Sequence, residues 1–436
     1  MIKNQRLNLE KLGVSTYNEI QIAAIQAIEF SKNLVIYAPT GSGKTIAFAA
    51  SSLKNLNNNE TAVQLLVITP TRELAQQVEA VYRKGLSGLP YKINSCYGGH
   101  SIKIEQQNFQ STPQILIGTP GRIVDHIQRN NIDLSNVHTL VLDEFDKSLQ
   151  MGFEEDMKFI VSTLKSRTST LLISATKLLK NPEFLSFSNV KTLDFTTETS
   201  NHSIQYFGVP CKSTPKEELL IELLCNLPSG KTIIFCNFRE QVELLARLMR
   251  ESQITAVHYH GGMEQDERER ALLKFHNGSS NFLISTDLAA RGLDIAQVEH
   301  VIHFQLPDKE AEFIHRSGRT GRQNNEGTVF FFVEQNMPAY LPKFETYEVV
   351  QNEPLPDEPE WTTIYISAGK KDKVNKIDIV GFFCKIGGLA KEDIGMIHVQ
   401  DYQSFVALKI DKAEEIMPYI RQQKIKGKKQ KIGFAR

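Results

Sequence analysis

Leu34-Val35-Ile36-Tyr37 leads into Ala38-Pro39-Thr40-Gly41-Ser42-Gly43-Lys44-Thr45, and a helical run follows. A short apolar run rich in β-prone side chains predicts a strand buried on both faces of a parallel sheet. The glycines after it let the backbone wrap closely around a phosphate, and the following helix offers free N–H groups and the positive end of its dipole. In such a loop Lys44 reaches the β- and γ-phosphates, Thr45 supplies a Mg²⁺ ligand, and Thr40, Gly41, Ser42 and Gly43 line the cradle. Ala38 stands where the general phosphate-loop pattern has its first glycine.

The same alternation recurs outward from this stretch. Leu65-Leu66-Val67-Ile68, Ile115-Leu116-Ile117, Leu140-Val141-Leu142 and Leu171-Leu172-Ile173 predict further buried strands joined by helices. The rhythm restarts with Thr232-Ile233-Ile234-Phe235, Phe282-Leu283-Ile284 and His300-Val301-Ile302, so two α/β units follow one another. Between them the polar segment Thr196 to His202 lacks periodicity and is expected to be the hinge. Residues 351–360 hold three prolines and four acids, which predicts an extended, stiff linker. Beyond it, Thr363-Ile364-Tyr365-Ile366 and Phe405-Val406-Ala407-Leu408 flank a helical stretch around Lys376 to Ile386, an α+β pattern. The expected domains are therefore 1–200, 201–350 and 361–436, with 351–360 as the linker.

Asp143 and Glu144 directly follow the strand Leu140-Val141-Leu142. Carboxylates at that end of a parallel strand stand where α/β folds bind ligands, so Asp143 can hold Mg²⁺ through water and Glu144 can deprotonate an attacking water. In the second unit, arginines at 316, 319 and 322 follow His315; helical spacing would put Arg319 and Arg322 on one face, suited to gripping a γ-phosphate.

Composition bounds the remaining classes. With 436 residues, 41% hydrophobic and 23% charged, the chain has material for two or three folded domains. No apolar run approaches the roughly 20 residues that span a bilayer, and the first residues are polar, so a cytoplasmic protein is expected. Five scattered cysteines without a CxxC pair argue against a disulfide framework or a zinc site. The net charge is zero, but residues 361–436 carry 15 basic and 8 acidic side chains, a net +7 against −7 for the rest. A basic module on a mildly acidic body suits a nucleic-acid contact.

The ordered set Pro70-Thr71-Arg72-Glu73-Leu74-Ala75, Gly98-Gly99, Thr119-Pro120-Gly121-Arg122, Asp143-Glu144-Phe145-Asp146, Ser174-Ala175-Thr176, Ser285-Thr286-Asp287, Ala290-Arg291-Gly292-Leu293-Asp294 and His315 to Arg322 resembles the DEAD-box RNA helicases of superfamily 2. The resemblance covers about residues 13–335. It implies two tandem RecA-like P-loop domains with parallel sheets, ATP and Mg²⁺ as cofactors, and RNA as partner. By that likeness Gln21 reads the adenine edge, and Ser174 and Thr176 couple hydrolysis to strand separation. Asp287, Arg319 and Arg322 complete the ATP site, while Arg72, Gly99, Thr119, Arg122, Thr286 and Arg291 lie along the RNA backbone. His260 with Gln265 and Arg268 matches an RNA-side segment. Two departures stand out. Phe145 replaces an alanine, which should alter packing and leave activity, and Asn4 stands where an adenine-stacking aromatic is usual.

Gly369-Lys370-Lys371-Asp372-Lys373-Val374, Gly387, Asp393-Ile394-Gly395 and Lys424-Ile425-Lys426-Gly427-Lys428 resemble the RRM-like RNA-binding domain of DbpA-type bacterial helicases, which target large-subunit ribosomal RNA. This implies RNA contacts from Lys370, Lys371, Lys373, Lys426 and Lys428, with Tyr365, Tyr402 or Phe405 as stacking aromatics; for Phe405, core packing is an equal reading. Asn375-Lys376-Ile377 replaces the usual Arg-Pro-Gly. The expected protein is a monomeric helicase acting on 23S rRNA or its precursor in ribosome assembly. The rival readings are an ATP- and RNA-binding clamp without turnover and a DNA translocase.

Overall fold

The structure is a computed structural model, and it describes residues 7–39, 41–99, 102–178, 180, 182–196, 204–211, 214–287, 298–321 and 326–435. The described residues up to 196 form one compact unit, and those from 204 onward form the second. Of the sequence expectations, Asn4, Thr40, Arg291, Arg322 and nearly all of the hinge lie outside the described residues.

The first unit has seven strands: β1 (Asn33–Tyr37), β2 (Leu65–Ile68), β3 (Ile93–Cys96), β4 (Ile115–Gly118), β5 (Thr139–Leu142), β6 (Ser169–Ser174) and β7 (Val190–Asp194). Their order is β3-β4-β2-β5-β6-β1-β7, and every pair is parallel. The helices are α1 (Glu19–Phe30), α2 (Lys44–Ser52), α3 (Arg72–Gly85), α4 (Ile102–Phe109), α5 (Pro120–Gln128), α6 (Phe145–Gln150) and α7 (Glu154–Thr163). Alternate strand residues feed two cores, as the period-2 geometry of a strand requires. Leu34, Ile36, Leu65, Val67 and Val141 enter one face, and Val35, Tyr37, Leu66, Ile68, Leu140 and Leu142 enter the other. Uninterrupted apolar runs are the consequence of that double burial.

The second unit repeats the plan with β8 (Ile204–Pro210), β9 (Thr232–Phe235), β10 (Ala256–Tyr259), β11 (Phe282–Ser285), β12 (His300–His303), β13 (Gly327–Val333) and β14 (Glu345–Thr346). Their order is β10-β11-β9-β12-β13-β8-β14. Its helices are α8 (Lys216–Asn226), α9 (Arg239–Glu251), α10 (Gln265–His276) and α11 (Glu310–Ser317). Both sheets are of the RecA-like type, and the same unit carries a small third sheet.

That third sheet contains β15 (Trp361–Ile366), β16 (Ile394–Val399), β17 (Ser404–Lys409) and β20 (Ile432–Phe434), antiparallel in the order β16-β17-β15-β20. With α12 (Lys376–Lys385) and α13 (Ile410–Ile420) it makes an RRM-like βαββαβ fold, to which β18 (Lys424–Ile425) and β19 (Lys428–Lys429) add a hairpin. Ile364, Ile366, Val406 and Leu408 point to the helices and pack with Ile379, Phe383, Met417 and Ile420. The 351–360 segment has no helix or strand, in keeping with its prolines, but it does not stand clear as a spacer. Pro354–Asp357 lies beside Leu224, Leu227 and Phe282, and Ser229 Oγ donates to Asp357 Oδ2 at 2.8 Å.

Candidate functional site

In the first unit the motif residues gather at the carboxyl ends of the strands, because each motif is the loop that leaves a strand for its helix. The phosphate loop follows β1, Thr71 and Arg72 follow β2, Gly98-Gly99 follows β3, Thr119 follows β4, Asp143 follows β5, and Ser174 ends β6. This is the edge where open α/β sheets take ligands.

Gly41 and Gly43 have φ of 85° and 88°, conformations that side-chain-bearing residues rarely adopt. Gly43 is also hemmed in: a Cβ there would lie 2.6 Å from Gln21 Nε2. Lys44 opens α2, and its Nζ donates to the carbonyls of Ala38 at 2.6 Å and Pro39 at 2.8 Å, so the loop closes on its own ammonium group. Gln21 and Asn18 form a reciprocal cap on α1: Gln21 N donates to Asn18 Oδ1 at 3.1 Å, and Asn18 N donates to Gln21 Oε1 at 3.0 Å. Their amide nitrogens then reach the phosphate loop, Gln21 Nε2 to Gly43 O at 3.3 Å and Asn18 Nδ2 to Ser42 O at 3.0 Å. Sequence reasoning found Gln21 and missed Asn18, although the Asn-x-x-Gln spacing of a capping box was visible.

Asp143 and Glu144 are 3% and 8% exposed. Glu144 takes a left-handed backbone, φ 44°, and its N–H donates to Asp143 Oδ1 at 3.0 Å. Burial first, and then the Glu144 charge, push the Asp143 carboxyl above its usual range, while Lys44 pulls it back. Phe145 is fully buried in the second core near Phe184, so its bulk is absorbed by packing. Thr176 Oγ1 donates to Asp146 Oδ2 at 2.8 Å, and Ser174 Oγ donates to Thr176 O at 2.6 Å.

On the expected RNA side, Arg72 lies over Gly99, where any Cβ would collide with its guanidinium; Gly99 has φ 96°. Thr119 is the N-cap of α5 and makes no side-chain cap bond. Arg122 has its Nε 2.7 Å from Glu105 Oε2, and His126 Nε2 approaches the same oxygen at 2.7 Å. Glu105 and His126 are buried, and nothing in their sequence context marked them.

In the second unit the helical reading of the arginines is corrected. Helix α11 ends at Ser317 with Gly318 as its cap, so Arg319 lies past the helix, and Arg322 is outside the described residues. Arg319 is buried, with its Nε donating to His315 O at 3.3 Å. Arg316, which the sequence did not single out, is 1% exposed and carries the density of contacts. Its Nε and Nη2 grip Asp287 Oδ1 and Oδ2 at 2.6 and 2.9 Å. The other donors reach Gln305 O at 2.7 Å and Asn237 Oδ1 at 2.8 Å, and the guanidinium sits over Phe235. Thr286 leads from β11 to Asp287 and is half-buried. His260 is buried, and its Nδ1 accepts from Gly262 N at 3.2 Å. Arg268 is buried on α10, whereas Gln265 Nε2 donates to Glu269 Oε1 at 2.8 Å.

In the C-terminal domain Lys370, Lys371 and Lys373 are exposed on one turn, which is hung on the β16–β17 loop by Lys370 N to Gln400 O at 2.9 Å and Lys371 N to Asp401 O at 2.8 Å. Lys428 is exposed on the β18–β19 hairpin. Lys426 bridges the two: its Nζ donates to Lys373 O at 2.7 Å and pairs with Asp378 at 2.9 Å. Phe405 is 2% exposed while Tyr402 is open to solvent. Among the described residues no helix is long and apolar enough to cross a membrane.

The chain matches three family models: the DEAD/DEAH box helicase over residues 18–184, the helicase conserved C-terminal domain over 215–324, and the DbpA RNA binding domain over 363–433. It is 31% identical to the ATP-dependent RNA helicase DbpA of Bacillus subtilis, over 98% of this chain and 96% of that one. It is 33% identical to the Escherichia coli helicase of the same name, over 97% and 95%. Among solved structures it resembles Saccharomyces cerevisiae Dbp5 bound to RNA and ADP BeF3, with TM-score 0.66, 25% identity and coverage of 78% and 95%. It also resembles Mss116 bound to ssRNA and UDP-BeF, with TM-score 0.65, 27% identity and coverage of 72% and 69%. With the phosphate loop, the paired carboxylates and the RNA-binding domain in one chain, the protein belongs to the DEAD-box family of ATP-dependent RNA helicases and is of the DbpA type.

Proposed function

We propose that the chain hydrolyses ATP with Glu144 as the base, and that it closes on and locally unwinds large-subunit ribosomal RNA during ribosome assembly. The observation that carries the catalytic part is the gathering of Lys44, Thr45, Asp143, Glu144 and the Thr176–Asp146 hydrogen bond at one edge of one sheet. Lys44 leaves the Ala38 and Pro39 carbonyls to meet the β- and γ-phosphates, since an anion outcompetes neutral acceptors for an ammonium group. Gln21 reads the adenine. Arg319, Arg322 and Asp287 add the charges of the second lobe to the nucleotide site.

The donor set fits Mg²⁺: a buried carboxylate at Asp143 and a hydroxyl at Thr45 are hard oxygen ligands, and the raised Asp143 pKa marks a carboxylate that a cation would relieve. Mg²⁺ held there supplies charge neutralisation of the transferred phosphoryl group. Glu144 orients and deprotonates the attacking water. Thr176, tied to Asp146, links the acidic loop after β5 to the segment after β6, so a shift at the nucleotide is felt there.

Arg72, Gly99, Thr119, Arg122, Thr286 and Arg291 contact RNA along its backbone, which makes the core indifferent to sequence. Specificity then belongs to the C-terminal domain, whose exposed lysines Lys370, Lys371, Lys373 and Lys428 suit phosphates. The B. subtilis and E. coli relatives named as DbpA support the DbpA-type likeness from which the ribosomal target is inferred. The protein acts as a monomer in the cytoplasm, where its free thiols stay reduced. The test is ATP turnover with ribosomal RNA, generic RNA and DNA of equal length. Stimulation by RNA over DNA, highest with large-subunit rRNA, is expected; equal stimulation by DNA overturns the RNA reading.

A further inference from the structure

Helix α4 spends its inward face on a charge. Of its residues only Glu105 and Phe109, one turn apart, are buried. A carboxylate withdrawn from water costs free energy unless donors surround it, so an apolar residue at 105 would pack there at lower cost. The donors come from two other segments. Glu105 Oε1 accepts from Tyr97 N at 3.3 Å, just ahead of Gly98-Gly99, and Oε2 accepts from Arg122 Nε and His126 Nε2, each at 2.7 Å. Arg122 and His126 are one turn apart on α5 and share a face.

The surroundings fix the roles of these groups. Gln106 Nε2 donates to Asn131 Oδ1 at 3.1 Å, which turns the Asn131 amide nitrogen toward His126 Nδ1 at 3.0 Å. Nδ1 therefore accepts, and the hydrogen on Nε2 is donated to Glu105. The Phe109 ring meets the fully buried imidazole nearly at right angles, 4.9 Å between centroids. Tyr97 is held in turn from α3: Gln76 Nε2 donates to its hydroxyl at 3.0 Å, and Gln76 lies one turn after Arg72. One carboxylate thus joins the chain ahead of Gly98-Gly99 to the helix that carries Arg122, with α3 braced on the same tyrosine.

We propose that Glu105 is the positioning residue of the RNA grip on the first lobe: it holds the Arg122 guanidinium by Nε in the orientation that meets RNA phosphate, and it ties the Gly98-Gly99 segment to α5, with His126 as its second donor. The proposal rests on the reading of Arg122 and Gly99 as RNA contacts. Charge alone argues against a carboxylate at this place, because a negative group beside a phosphate-binding arginine weakens the attraction for RNA. Geometry explains it. An arginine has much rotamer freedom to lose, and a guanidinium already fixed by Nε loses less of it on meeting phosphate. The Arg122 side chain keeps 13% of its surface exposed, so the held group stays within reach of a ligand.

The experiment takes the full chain and an oligouridine, and reads the half-saturating RNA concentration both from anisotropy of the labelled RNA and from RNA-stimulated ATP turnover. Glu105→Ala should raise it roughly tenfold, the weight of one charge-assisted hydrogen bond, while kcat at saturating RNA and the KM for ATP stay at the parent values. Glu105→Gln can still turn an oxygen to Arg122 and His126 but sets its amide N–H against Tyr97 N–H, so it should lose about threefold, and it carries the test if the Ala variant does not fold. In an Arg122→Ala background either change should add less than about twofold, because a residue acting through another has nothing left to act on. Tighter RNA binding by a Glu105 variant would mean that the carboxylate only repels RNA, and the proposal falls. It falls too if the losses add fully to that of Arg122→Ala, or if kcat and the KM for ATP worsen along with RNA affinity, which marks a general packing defect. Weakened RNA binding by Arg122→Ala beside parent-like Glu105 variants overturns the positioning role alone. Parent-like affinity in Arg122→Ala overturns the RNA reading of Arg122 and the proposal with it.

Discussion

Arg316 and Asp287 form a two-pronged ion pair inside the second helicase lobe, 2.6 and 2.9 Å from donor to acceptor, with the guanidinium 1% exposed. Asp287 continues from β11 and Arg316 sits near the end of α11, so this pair fixes the one loop against the other. The remaining guanidinium donors are taken by Gln305 and Asn237. Arg316 is buried while Asp287 keeps a partly open side chain, so removing the guanidinium takes its donors from Asp287, Gln305 and Asn237 at a cost of about 1–3 kcal/mol. Arg316→Ala should therefore lower the denaturation midpoint of the second lobe by that equivalent, and Arg316→Lys should recover only part of it because the fork is lost. Urea titration read by circular dichroism checks this. A variant as stable as the parent would show the pair to be dispensable.

The phosphate loop and the base act at different stages, which separates their variants. Lys44 acts on ground-state phosphates, so Lys44→Ala should abolish ATP binding. Glu144 acts on the attacking water, so Glu144→Gln should bind ATP and stop turnover. Fluorescent-nucleotide titration beside steady-state hydrolysis distinguishes the two, and unchanged ATP affinity in Lys44→Ala would remove the phosphate-loop assignment.

Thr176→Ala deletes the hydroxyl that reaches Asp146 and leaves that buried carboxylate short of a donor. Strand separation should fall by tenfold or more relative to ATP hydrolysis, measured as base pairs opened per ATP consumed. A proportional loss of both would place Thr176 in the chemistry and deny it a coupling role.

Lys426 and Lys428 are two residues apart and differ in what holds them. Lys426 is tied to Lys373 O and Asp378, whereas Lys428 is exposed on β19. Lys428→Ala should reduce the slope of log affinity against log salt by about 1, as expected for a lost phosphate contact. Lys426→Ala should instead loosen the Lys370–Lys373 turn, visible as faster amide exchange there. Equal slope changes would mean that both reach phosphate.

The thiolate is the reactive form of cysteine, so a raised pKa slows alkylation. Burial pushes Cys236 up to about 12 and lifts Cys96 further, while Cys211, Cys225 and Cys384 are half-buried. At neutral pH the native chain should react slowly with iodoacetamide at Cys96 and Cys236 until it is unfolded, and reactivity there should rise with pH only far above neutrality. Mass-spectrometric mapping of the modified peptides reads the order.

The sequence by itself determined the two α/β lobes, the phosphate loop, the acidic pair after β5 and the basic third domain. Each of these is written in short-range chemistry. A strand buried on both faces must be apolar throughout, a phosphate cradle must have glycines before a helix, and a carboxylate pair must follow its strand. What lies opposite a side chain is not local, and only the tertiary structure decided it. Arg122 and His126 both meet Glu105, 17 and 21 positions away in the chain, and Arg316 meets Asp287 from 29 positions away. Helical spacing suggested a shared face for Arg319 and Arg322, but Gly318 ends the helix before either. Lys426 and Lys428 look alike in the sequence, and a partner 53 residues off separates them. Phe405 alternates correctly for an open sheet face, yet it is buried, because packing between distant segments decides whether an aromatic faces water, RNA or another domain.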